Sequence, residues 1–236
     1  MDRPAPRYRV SLSLLPLLLA VAISGGCMSG LASMMWFIKG TDIDPDFKFL
    51  KGKRVAVVVR PVADLQYRNP NVPRDLADEI GACLRKHVSK VKVIDEQKVS
   101  NWCDENNSDD VEELGKALKA DMVVSVELGS FSLFQGQNIY QGRAISSLQV
   151  YDCRDEEKKA KDKDSPKKDK ESSDSIVFEK NLPETKYPPN TGIPTSDMQE
   201  CEFRQEFIKK LADQIARHFY AHDAHDDFAQ DATALH

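Results

Sequence analysis

The segment RVAVVV, residues 54–59, most restricts the folds open to this chain. It is short and rich in β-branched residues, and it shows no alternation of apolar and polar positions, which is typical of a strand covered on both faces. Residues 74–88, RDLADEIGACLRKHV, then place apolar side chains at helical spacing with charges opposite them. A buried strand followed by an amphipathic helix favours a sheet with helices packed on it.

The same order continues toward the middle of the chain. Residues 91–99, VKVIDEQKV, predict a second strand. Residues 108–120 predict a helix, because Ser108, Asp109 and Asp110 suit the start of one. Residues 121–128, DMVVSVEL, predict a third strand. Strands and helices in this order indicate an α/β layer.

The second half of the chain changes pattern. Residues 130–153 form two β-rich runs around Gly136 and Asn138, which predicts antiparallel strands, and residues 175–182 predict another strand. A proline-rich crossing loop, 182–199, precedes a predicted long helix that Ser196 or Asp197 can cap. The apolar side of that helix is expected at Met198, Cys201, Gln205, Ile208, Leu211, Ile215 and Phe219. We therefore expect one α/β domain, three-layer-like, with a mixed sheet and a long C-terminal helix.

The N-terminus carries a membrane-seeking leader. Three arginines precede a run without charges, Leu12 to Ile23, whose length suits the apolar part of a secretory signal. The wider uncharged stretch, Ser11 to Ile38, is long enough to span a bilayer, although Pro16 and the Gly25-Gly26 pair weaken it as one helix. Ordinary cleavage, a retained single-pass anchor and a lipidated cysteine are therefore three alternatives.

Cys27 favours the lipidated form. Small residues at 24–26 directly before this cysteine resemble the lipobox of bacterial lipoproteins, in which the thiol is acylated and becomes the new N-terminus. We predict a signal peptide over residues 1–26 and a lipidated N-terminus with a polar linker over 27–52. Met28 is not the aspartate that retains some lipoproteins in the inner membrane, so the analogy favours the outer membrane.

Composition and charge limit the functions and the structure expected for the rest of the chain. The net charge of −5 argues against a nucleic-acid binder, which presents a basic face to phosphates. Within an α/β domain predicted over 53–222, residues 154–174 balance acidic and basic side chains and predict a mobile insertion. Residues 223–236 are predicted to be a flexible tail. Cys83 and Cys201 are expected to be small buried residues of the two amphipathic helices.

Catalytic and cofactor motifs are missing from the sequence. It contains no GxSxG, HExxH, Walker or Rossmann glycine pattern, so we expect a protein that is not an enzyme and needs no cofactor. One cluster could bind a transition metal: His218, His222, His225 and Asp226 share a face if the last helix runs that far. The alternative is a polar helix end without a metal.

Several of these segments together resemble a known module. The sequences KRVAVVV, RDLADEIGACLRKHVSKVKVIDEQKV, VEELGKALKADMVVSVELGSF and QVYDC are similar to the α/β module of three envelope protein families. These are the curli-secretion channel lipoprotein, the lipoprotein activators of penicillin-binding proteins, and the amino-terminal domain of the Tol-system propeller protein. The resemblance implies a lipid-anchored envelope protein that binds another envelope protein.

Sequence alone therefore leaves two hypotheses for function. The first is a non-enzymatic cell-envelope lipoprotein, palmitate-bearing at Cys27 and facing the periplasm, that acts as a protein-binding or assembly module. The alternative is a single-pass, membrane-anchored periplasmic domain that binds a metal or small molecule. Oligomeric state is left open by the sequence.

Overall fold

A computed structural model describes residues 42–62, 70–106, 110–154 and 175–223 of the chain. Four α-helices lie within these ranges: α1 Val72–His87, α2 Glu96–Asn106, α3 Val111–Ala117 and α4 Glu200–Ala216, the last continued by a 3-10 turn, Arg217–Phe219. The strands are β1 Asp42–Ile43, β2 Arg54–Pro61, β3 Lys92–Val93, β4 Met122–Phe134, β5 Ile139–Asp152, β6 Ile176–Asn181, β7 Thr185–Tyr187, β8 Ile193–Pro194 and β9 His222–Asp223.

A seven-stranded mixed sheet is the centre of the described structure. Its main order is β3-β2-β4-β5-β6, and β2 is parallel to both β3 and β4. The β4–β5 and β5–β6 pairs are antiparallel. Strands β7 and β8 also pair with β5, along its first half, whereas β6 pairs with its second half. A separate two-stranded sheet pairs β1 with β9.

Helices cover the two faces of the sheet. On one face α1 and α4 enclose the larger core, in which Leu76, Ile80, Phe203 and Phe207 are fully buried. On the other face α2 and α3 pack on a smaller cluster around Val123. The predicted single domain with three layers, a mixed sheet and a long C-terminal helix is therefore confirmed.

The larger core reaches back toward the N-terminus. Phe47 and Leu50, which the sequence places in the linker, are only 2% and 0% exposed. Burial of two large apolar side chains of this kind contributes about 1.5–3 kcal/mol each. The segment that the sequence predicts to be a linker is thus part of the folded structure from at least Phe47.

The strand predicted over residues 91–99 is wrong for most of its length. Only Lys92 and Val93 pair with β2, and α2 begins at Glu96. The carboxylate of Asp95 accepts a hydrogen bond from the backbone N–H of Gln97 at 3.0 Å. A side-chain acceptor at the start of a helix satisfies a donor that the helix leaves unpaired, so Asp95 favours the helical continuation.

The long C-terminal helix is confirmed, but its start and its buried side differ from expectation. Neither Ser196 nor Asp197 caps it: Gln199 occupies the N-cap without a side-chain hydrogen bond, and the Ser196 hydroxyl donates to the Asp197 carboxylate at 2.8 Å. Phe203 and Phe207 face the core, whereas Cys201 and Gln205 are exposed.

The prediction of buried cysteines is wrong for Cys201, which is exposed, and too strong for Cys83, which is half-buried. Phe203 and Phe207 supply far more apolar surface than a thiol, so they determine which side of α4 turns inward.

The proline-rich segment over 182–199 is more ordered than a crossing loop. It contributes β7 and β8, which extend the sheet along β5. The predictions for residues 1–26, for Cys27 and for the insertion beyond Arg154 lie outside the described residues, as do residues 224–236 of the tail. None of the helices within the described ranges is long and apolar enough to cross a membrane.

Candidate functional site

The chain around Asp46 and Phe47 is fastened at one corner of the domain. The Asp46 carboxylate accepts a hydrogen bond from the Lys180 ammonium at 2.7 Å and lies 2.5 Å from Nδ1 of His218. The backbone N–H of Phe47 donates to the carbonyl of His218 at 3.0 Å. The ring of Phe47 packs against Phe178 and Phe219. Polar and apolar contacts together fix the positions of Asp46 and Phe47 on the domain.

A cleft of about 570 Å³ opens beside this corner. It lies between the chain around β7 and the C-terminal half of α4, and we call it the basic cleft. The residues that line it are Lys180, Leu182, Pro183, Glu184, Thr185, Lys186, Tyr187, Pro189, Lys210, Gln214, Ile215, Arg217, His218 and His222. Its volume falls within the range of about 300–1,000 Å³ that is usual for ligand sites.

Strand alternation in β7 determines which side chains contact α4. The Thr185 hydroxyl donates to Oε1 of Gln214 at 2.7 Å, and the Tyr187 hydroxyl lies 3.4 Å from a carboxylate oxygen of Glu206. Both contacts point to α4. Because successive side chains of a strand point to opposite faces, the side chain of Lys186 points away from α4, although Lys186 is also among the residues that line the cleft.

The charge of the basic cleft is positive. Lys180 is paired with Asp46, and Arg217 with Asp213 at 2.8 Å. The Lys210 ammonium lies 5.8 Å from the centre of the Tyr187 ring, a cation–π contact, and forms no ion pair with a carboxylate among the described residues. The cleft therefore offers Lys210 to an anionic group.

Burial adjusts the titration of two groups in the cleft. It lowers the pKa of His218 below the ordinary value of 6.5, against the opposing effect of the Asp46 carboxylate. It also raises the pKa of Tyr187, in the same direction as the charge of Glu206. His218 is thus mostly neutral at pH 7, and lysine and arginine supply the positive charge.

The hydrogen bond from Lys180 lowers the pKa of Asp46, and the contact with His218 acts in the same direction. Asp46 is therefore a carboxylate at neutral pH, paired with the Lys180 ammonium and in contact with His218.

The predicted metal cluster does not have the helical geometry that it requires. Helix α4 ends at Ala216, the 3-10 turn ends at Phe219, and Tyr220 is extended at φ −144°. His222 then lies in strand β9, so its spacing from His218 is no longer helical.

His218 and His222 line the same cleft, while His225 and Asp226 lie outside the described residues. No group of three potential metal ligands occurs in the ranges that the structure covers. The metal site stays a prediction.

A second cleft, of about 920 Å³, lies between α1, α4 and the start of α2. Several carboxylates line it, but arginines neutralise two of them. Nε of Arg74 lies 2.8 Å from Glu96, and Arg85 lies 3.6 Å from Asp78. Burial raises the pKa of Glu96, and the Arg74 contact opposes that shift. The Arg74–Glu96 pair links α1 to α2, and the Arg85–Asp78 pair lies within α1. Both pairs therefore have a structural role.

The sequence did not single out Lys210, Tyr187 or Arg143. Tyr187 falls in a segment predicted to be a loop, and Lys210 is one of many lysines on a predicted amphipathic helix. Arg143 lies in a predicted strand, and its environment depends on β7. Only the alternation of polar and apolar residues around Arg143 signals that it faces away from the larger core.

No family model and no curated protein sequence matches the chain. Among solved structures, the PelC dodecamer from Paraburkholderia phytofirmans is 8% identical, with a TM-score of 0.40, over 76% of this chain and 96% of that one. Lipoprotein GNA1162 from Neisseria meningitidis is 11% identical, with a TM-score of 0.39, over 69% and 97%. The hypothetical protein CT253 from Chlamydia trachomatis is 16% identical, with a TM-score of 0.32, over 69% and 96%.

Proposed function

We propose that this chain is a non-enzymatic cell-envelope lipoprotein that is tethered through Cys27 and binds an acidic segment of a protein partner in its basic cleft. The observation that carries the proposal is the position of Lys210. Its ammonium lies over the Tyr187 ring, without a carboxylate partner in the described residues, at a cleft that also exposes apolar surface.

The tether is argued from the sequence of the leader. Arginines, an uncharged run and small residues precede Cys27, and a polar linker follows. A single acyl chain gives only marginal membrane binding, whereas lipidation of an N-terminal cysteine by diacylglycerol and an amide-linked chain provides stable attachment. Asp46 and Phe47, within the predicted linker, contact His218, which lines the basic cleft.

The chemistry of the cleft suits a peptide better than a metal ion. Lys180, Lys210 and Arg217 repel a divalent cation, while Glu184 is the one carboxylate among the described residues that line the cleft. Leu182, Ile215 and the Tyr187 ring offer apolar contact next to the lysine. A partner segment with an acidic side chain beside an apolar one would satisfy both features.

Site-directed photo-crosslinking in intact cells tests the partner. A photoreactive residue at Pro183, which is exposed and lines the basic cleft, is compared with one at Lys98, an exposed position on α2 at the other face of the sheet. We expect one specific protein adduct from position 183 and none from position 98.

The charge requirement is tested in the same cells. Lys210→Gln should remove the adduct at position 183, whereas Lys209→Gln, the adjacent lysine that lines the other cleft, should leave it unchanged. Equal crosslinking at positions 183 and 98, or an adduct indifferent to Lys210→Gln in a variant that is folded by circular dichroism, would contradict the proposal.

A further inference from the structure

Two cations face each other on the side of the sheet opposite α4. Arg143 in β5 and Lys186 in β7 are direct partners in the antiparallel register. Side chains of directly opposed residues share a face, with Cβ atoms about 4.5–5.5 Å apart. Since Thr185 and Tyr187 contact α4, Lys186 and Arg143 lie together on the other face.

This pair is not neutralised by the described part of the protein. Neither Arg143 nor Lys186 forms an ion pair with a carboxylate there, although Glu184 lies two residues before Lys186. Like charges directly opposite each other on neighbouring strands disfavour the pairing of those strands. A bound anion would convert this repulsion into attraction.

Arg143 is also held in place with hydrogen-bonding capacity unused. Its Nη2 donates to Oε1 of Gln141 at 3.1 Å, and Gln141, which is 1% exposed, donates through Nε2 to the carbonyl of Pro188 at 3.1 Å. The Nε of Arg143 is buried and has no acceptor among the described residues. The guanidinium is thus oriented by a neutral, fixed glutamine, while the half-buried side chain keeps part of its surface open.

We propose that Arg143 and Lys186 together bind a phosphate-type oxyanion on this face of the sheet. A phosphate group carries a charge of about −1.5 to −2 near pH 7, which matches two adjacent cations better than one carboxylate does. The planar guanidinium donates two parallel hydrogen bonds to such an oxyanion, and the lysine acts as a compact point charge.

Lys186 also lines the basic cleft, whereas Arg143 does not, and the phosphate site does not depend on lipidation of Cys27. Arg143→Gln therefore tests phosphate binding without altering a residue of the basic cleft. Lys210→Gln tests the basic cleft without altering either cation of the phosphate site, so the failure of one proposal can be told from the failure of the other.

The test is a titration of the full chain in detergent micelles with inorganic phosphate, at ionic strength held constant with chloride. Isothermal calorimetry gives the dissociation constant, and the thermal unfolding midpoint gives a second readout. We expect saturable binding that raises the midpoint. Lys186→Gln and Arg143→Gln should each weaken binding about tenfold or more, since each removes a charge-assisted contact.

Lys98→Gln is the matched control, because it removes the same charge from an exposed position on α2. Its dissociation constant should equal that of the unmodified chain. Glycerol 3-phosphate distinguishes the source of the group: tighter binding than inorganic phosphate indicates an organic phosphate ligand, and equal binding indicates free phosphate. Absence of saturable binding by either probe, or an unchanged constant in Lys186→Gln, which is exposed and should fold normally, overturns the proposal.

Discussion

Asp46 and His218 are in contact although 172 positions separate them: the Asp46 carboxylate lies 2.5 Å from Nδ1 of His218. The same carboxylate accepts the Lys180 ammonium. This carboxylate therefore ties the start of the domain to β6 and to the turn that follows α4. The contacts bear on stability and on its dependence on pH.

Replacement of Asp46 tests this tie. Asp46→Asn should lower the free energy of unfolding by about 1 kcal/mol or less, because the carboxylate is 41% exposed and solvent screens its ion pairs. Asp44→Asn, at a carboxylate that is 87% exposed and lies 3.4 Å from Lys48, should change it by less. Urea denaturation measures both. Equal effects of the two variants would show that Asp46 has no special role.

Acidification should destabilise the domain through His218. Burial lowers the pKa of His218 in the folded chain below 6.5, so the unfolded chain binds a proton more readily. The free energy of unfolding is therefore unaffected by His218 above the pKa of this histidine in the unfolded chain, and it declines as the pH falls below about 6.5. Asp46, whose pKa is lowered from 3.8, acts in the same direction at lower pH.

Unfolding midpoints measured from pH 7.5 to 5 check the contribution of His218. In His218→Gln the decline over this range should be shallower than in the unmodified chain. A steeper or identical decline would exclude His218 as the titrating group.

The contact between β5 and α4 at Gly142 leaves no room for a side chain. A Cβ at Gly142 would lie 2.5 Å from Cγ of the Phe207 ring, whereas a Cβ at Gly129 would meet nothing closer than 3.6 Å. Gly142→Ala should therefore destabilise the domain by about 1–3 kcal/mol through overpacking. Gly129→Ala should be close to neutral in the same denaturation experiment, and similar losses in both variants would argue against the steric explanation.

The buried pair of Asp152 and Arg154 should be sensitive to removal of one partner. The carboxylate accepts from Nε at 2.9 Å and from Nη2 at 2.7 Å, and the two side chains are only 4% and 3% exposed. Asp152→Ala leaves the guanidinium buried without this counter-charge, which typically costs about 3–5 kcal/mol.

The double variant Asp152→Ala, Arg154→Leu should lose less stability than the single Asp152→Ala variant, because no buried charge is left. If the double variant loses as much stability as Asp152→Ala or more, the guanidinium is stabilised by contacts other than Asp152.

The proposed lipidation of Cys27 predicts an effect on processing. Cys27→Ser should release the protein from the membrane or leave it as an unprocessed precursor, because the serine hydroxyl cannot form the thioether. Cys201→Ser, at an exposed cysteine of α4, should leave processing unchanged. Cell fractionation combined with intact mass measures location, leader loss and acylation together. Full membrane binding at precursor length with or without Cys27 would favour the single-pass anchor.

Sequence by itself determined the elements whose side chains specify their own environment. Residues 54–59 and 121–128 are strands because β-branched side chains suit a sheet that is covered on both faces. Helix α1 follows from its apolar stripe, and the hairpin of β4 and β5 turns in the predicted region near Gly136, which has φ of 76°. These preferences are local, so they can be read without knowledge of partners.

Tertiary structure decided the elements that depend on partners far away in the chain. Residues 185–187 become a strand because they pair with an edge of β5 that β6 leaves open. No local pattern in the sequence predicts this strand. The chain leaves the helix before His222 because Tyr220 turns to stack on His87, with ring centres 4.3 Å apart. The basic cleft and the pairing of Arg143 with Lys186 arise in the same way. A site assembled across strands and helices is set by packing, and its residues carry no shared signal along the sequence.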